Sequence, residues 1–72
     1  MAEVEIETTV NREQFVTALR RCADAIEGNR DLQLTLDGHT LNLRPQGKME
    51  IKYEHEHGEH ELEFEVKWRE MG

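Results

Sequence analysis

Between Lys48 and Trp68 the chain reads KMEIKYEHEHGEHELEFEVKW, and alternate residues are apolar or aromatic. Met49, Ile51 and Tyr53 occupy odd positions; Leu62, Phe64, Val66 and Trp68 occupy even ones. A period of two marks a strand with one buried face. The switch of parity marks a two-residue turn between two such strands. A turn at His57-Gly58 pairs Glu56 with Glu59, His55 with His60, Tyr53 with Leu62, Ile51 with Phe64 and Met49 with Val66. All the apolar side chains then share one face, and a slip of one residue would scatter them. Gly58 supplies the positive φ that the turn requires. The stretch therefore reads as a long amphipathic hairpin ending at Trp68.

The remaining segments are shorter. Glu3 to Val10 alternates Val4, Ile6, Thr8 and Val10 with Glu3, Glu5, Glu7 and Thr9, which predicts a first strand. Asn11 has the chemistry of a helix N-cap, and Gln14 completes a capping box. The helix is expected from Arg12 to about Glu27. Phe15, Leu19, Cys22 and Ile26 form its apolar stripe, widened by Ala18 and Ala23. Gly28-Asn29 ends it with a residue tolerant of the left-handed conformation. Leu32, Leu34 and Leu36 then begin a second hairpin around Asp37-Gly38, facing Leu43, Leu41 and His39. Arg44-Pro45-Gln46-Gly47 fits a type I turn between the hairpins. Arg69 to Gly72 reads as a frayed tail. The expected fold is α+β: one helix on one face of a mostly antiparallel sheet, in the order β-α-β-β-β-β, as a single domain over residues 1–72.

With these elements placed, the chain resembles the amphi-Trp domain family over nearly its full length. The likeness rests on Glu3-Val4-Glu5-Ile6-Glu7, on LRRCADAIE from Leu19 to Glu27 leading into Gly28, and most of all on ELEFEVKW from Glu61 to Trp68. The resemblance implies a small bacterial or archaeal domain, often the whole protein, without an established activity. It supports the layout and supplies no mechanism. The histidines from His55 to His60 depart from the plainer charged residues the family pattern leads one to expect.

Composition narrows the function. Sixteen acidic against nine basic side chains give a formal charge of −7, the wrong sign for binding nucleic acid or an anionic membrane. Cys22 is the single cysteine, so no internal disulfide can form, which suits a reducing compartment. No apolar run spans a bilayer and Met1 to Val10 lacks a signal-peptide pattern, so a cytoplasmic protein is expected. Phosphate loops, nucleophile elbows and metalloprotease helices are absent from the sequence, and Cys22 lies in the helix stripe. No enzyme is expected.

The surface left over suggests an interaction module. A helix is about 10 Å across, whereas five strands span about 24 Å. Part of the apolar face should stay open, and open apolar patches mark interaction sites. A homo-oligomer, most simply a two-fold dimer, is expected to bury it, with Ile51, Tyr53, Phe64, Val66 and Trp68 as interface residues and a further protein partner conceivable. The other outcome is a monomer whose sheet coils around the helix. Trp68 also fits the end of a core. On the opposite face Glu50 meets Glu65, Glu54 meets Glu61 and Glu56 meets Glu59, like charges that destabilise a sheet but keep it soluble. His55, His57 and His60 are weak candidates for a divalent transition metal, the alternative function, though their spacing matches no structural zinc motif. No other cofactor is expected.

Overall fold

The computed structural model describes residues 3–70. Helix α1 spans Arg12–Gly28, followed by β1 (Leu32–Leu36), β2 (His39–Leu43), β3 (Lys48–Glu56) and β4 (Glu59–Lys67). The class is α+β, with antiparallel strands throughout. The helix begins as the capping box dictates. The Asn11 side chain accepts from the Gln14 N–H at 2.8 Å, and the Asn11 N–H donates to the Gln14 side chain at 3.1 Å. It ends on Asn29, left-handed at φ 52°, with Arg30 N–H donating to the Ala25 carbonyl at 2.8 Å and Asn29 N–H to that of Ile26 at 3.3 Å. That is a Schellman motif, closed here by asparagine.

Both hairpins take the expected registers. Leu32 faces Leu43 and Leu34 faces Leu41; Met49 faces Val66, Ile51 faces Phe64 and Tyr53 faces Leu62. Both turns have positive φ at their two central residues, Asp37-Gly38 at 48° and 79° and His57-Gly58 at 50° and 79°. Such mirror-image turns match the twist of the strands they join.

Tertiary organisation departs from expectation in four places. Among the described residues Glu3–Val10 forms no strand, so the order is α-β-β-β-β, and Val4 is 77% exposed. Alternation fixes which side chains share a face, but a strand exists only when another edge accepts its backbone. Secondly, the four strands make two separate two-stranded sheets instead of one. Thirdly, Arg44–Gly47 forms no hydrogen-bonded turn; Pro45 is buried and the chain bends at Gly47, where φ is 85°. Finally, the helix touches β1 and no other strand. Its covered side runs through Ala18, Cys22, Ala25 and Ile26, while Ala23 is exposed. Arg69 and Glu70 continue exposed beyond β4; the rest of the expected tail lies outside the described residues.

The core is accordingly small. Ala25 and Leu32 are its buried apolar side chains among the described residues, joined by Pro45 at the bend. The accessible surface is 7046 Å², where a compact protein of this mass exposes about 4,700 Å². The radius of gyration is 13.7 Å, against about 11 Å for a compact chain of this length. The exposed segments include residues 3–10, the β3–β4 hairpin and the open part of the helix. No described helix is long and apolar enough to cross a membrane.

Candidate functional site: an uncovered hairpin face

The β3–β4 hairpin is fixed at its base. A side chain at Gly47 would place its Cβ 2.6 Å from the Lys67 carbonyl oxygen and 3.2 Å from the Trp68 Cβ. Only glycine fits there, and only glycine takes that φ without strain. Val66 and Trp68 are half-buried near this joint. Beyond them the apolar face is open: Met49 is 51% exposed, Ile51 72%, Tyr53 60%, Leu62 62% and Phe64 61%. Of the expected interface residues, Ile51, Tyr53 and Phe64 therefore lie together on bare surface, while Val66 and Trp68 sit at the root.

The face ends in aromatic rings of another kind. His55 and His60 have the same parity as Tyr53 and Leu62, so they extend the apolar stripe toward the tip. Their imidazoles stack with centroids 4.1 Å apart and planes 7° from parallel. The Tyr53 hydroxyl lies 2.7 Å from His60 Nδ1, fixing that ring from the diagonal position. A ring nitrogen binds a metal in the plane of its ring, and two near-parallel planes held apart by stacking do not meet at one ion in this conformation. His57, in the turn, lies 3.6 Å from a Glu56 carboxylate oxygen and stands apart from the stack. Among the described residues, no three His, Cys, Asp or Glu side chains are grouped to hold a metal.

The back of the hairpin carries the charge. Glu50 faces Glu65, Glu54 faces Glu61, Glu56 faces Glu59, and Lys52 faces Glu63. Lysines ease the repulsion along β3: Lys48 lies 3.3 Å from Glu50 and Lys52 3.8 Å from Glu54. These pairs are exposed and contribute little individually.

A second open surface was not legible as a site. Phe15, Val16 and Leu19 on α1 are 56%, 38% and 42% exposed. On the other flank of α1, sharing Phe15 with that surface, runs a groove of about 640 Å³ lined by Thr8, Val10, Phe15, Ala18, Leu34 and Leu36 among others. The available signal was the width of the helix stripe, which exceeds what the short β1–β2 hairpin can cover.

The model of the Amphi-Trp domain family matches residues 1–72, the whole chain. The chain belongs to the Amphi-Trp domain family. In this Amphi-Trp domain the tryptophan, Trp68, directly follows the last strand and lies against the glycine at the joint. No curated protein and no solved structure matches the chain.

Proposed function

We propose that this Amphi-Trp domain is a small non-catalytic interaction module that associates with a second copy of itself, as a two-fold dimer, through the apolar face of β3–β4. The observation that carries this reading is the bare face from Met49 to Phe64 on a hairpin that, among the described residues, no other helix or strand touches. An isolated two-stranded hairpin is marginally stable in water. Covering about 600 Å² per copy, some 1,200 Å² in total, reaches the lower end of the range of stable, specific interfaces. The surface beyond that of a compact chain also exceeds the ~800 Å² per partner of a standard interface. A second copy presents the same apolar chemistry, and two-fold contacts are self-complementary. The charges lie on the back of the hairpin and stay in water when its front is covered. Cys22, half-buried on the packed side of α1, supports a structural role over a nucleophilic one.

Sedimentation equilibrium from low to high micromolar concentration tests this. A dimer with a concentration-dependent mass is expected. A chain that stays monomeric at high micromolar concentration would overturn the proposal.

A further inference from the structure

We propose that the two copies meet reciprocally, the β3–β4 hairpin of each lying along α1 of the other. This deepens the self-association reading and rests on it. Each chain displays two unpartnered apolar surfaces: the hairpin face, and the open side of α1 at Phe15, Val16 and Leu19. Their dimensions agree. The helix, Arg12–Gly28, is about 25 Å long and 10 Å wide. The strands of the hairpin, nine residues each, give a face about 30 Å by 10 Å. One helix is thus long enough to lie along one such hairpin, with the turn from Phe15 to Leu19 supplying its apolar contact, and the footprint doubles when the contact is made twice.

The chain cannot make this contact with itself while its joint stays packed. Pro45 is buried, and Gly47 lies against Lys67 and Trp68, which sets the direction in which the hairpin leaves the rest of the fold. In that direction the hairpin touches no part of its own helix. A second copy supplies the helix instead.

Charge favours this pairing over two hairpins meeting front to front. From Lys48 to Lys67 the hairpin carries seven acidic and three basic side chains. Two hairpins packed front to front would keep their acidic backs in water, but their net charges of the same sign would repel across the pair. From Arg12 to Gly28 the helix carries three acidic and three basic ones. It is therefore the neutral surface of the two. Front-to-front packing would also leave Phe15, Val16 and Leu19 in water.

Two measurements on the full chain decide the matter. In the first, association constants are compared for Ile51→Glu, on the hairpin, and Leu19→Glu, on the helix. Both positions are exposed in the single chain, so each variant should keep its monomer fold. Each is expected to weaken dimerisation about tenfold or more. If Leu19→Glu dimerises as tightly as the parent, the reciprocal arrangement is wrong although the dimer stands. In the second, a nitroxide is placed on Arg20→Cys in a Cys22→Ser background and mixed with unlabelled-cysteine, ¹⁵N-enriched parent chain. Broadening of amides at Ile51–Tyr53 and Leu62–Phe64 in the enriched chain is expected. A dimer without that broadening overturns the arrangement alone. A monomer by sedimentation in the same mixture overturns the self-association reading with it.

Discussion

Gly47 and Trp68 lie so close that a methyl group on the first would stand 3.2 Å from the Cβ of the second and 2.6 Å from the neighbouring Lys67 carbonyl. Gly47→Ala should therefore lower stability by about 1–3 kcal/mol, from the positive φ and the backbone clash together. Gly38→Ala separates the two effects, because Gly38 has φ 79° but nothing within 4 Å of its Cβ site. Urea unfolding midpoints should show the larger loss at Gly47. Equal losses would mean that the joint yields.

The N-cap gives a second expectation. Asn11→Ala removes the acceptor for the Gln14 N–H and should cost about 1 kcal/mol. Helical ellipticity at 222 nm, followed through a thermal melt, reads it out. Asn11→Asp keeps the acceptor and should restore the parent midpoint.

The acidic back of the hairpin predicts a salt response. Glu54 and Glu61 are directly opposed, so Glu61→Lys should stabilise by about 0.2–1 kcal/mol at low ionic strength. The parent chain should gain stability as salt screens its glutamates, and the variant should gain less. Melting in 20 mM and 500 mM sodium chloride would show this. A parent midpoint that ignores salt would refute it.

His57 occupies the first central position of its turn at φ 50°, where asparagine is better accommodated. His57→Asn should raise the thermal midpoint modestly, by the equivalent of a few tenths of a kcal/mol to about 1 kcal/mol. His57→Val should lower it, since a β-branched side chain resists that conformation.

Local structure was legible because its determinants are local. The parity change around His57-Gly58 fixed every partner in the long hairpin, and Asn11 with Gln14 fixed the start of the helix. The path of the chain between elements was not legible. Nothing in Arg44–Gly47 announces that Pro45 turns inward and that Gly47 abuts Trp68, so two hairpins looked like one sheet. Glu3–Val10 shows the same limit, since its alternation names no edge to pair with. The site followed suit: Ile51, Tyr53 and Phe64 were placed together from sequence, whereas Phe15 and Leu19 were assigned to a stripe that the core does not cover, and Val16 was not singled out. Ala25, the most buried helical residue, was overlooked because alanine adds little to an apolar stripe.

The row of glutamates behind the long hairpin has a consequence for growth. A ribbon that is oily on one side and anionic on the other can be sandwiched once. A third layer would have to press carboxylates against oil or against each other, so stacking ends with the first pair, and the same residues that weaken the ribbon keep it from becoming a fibril.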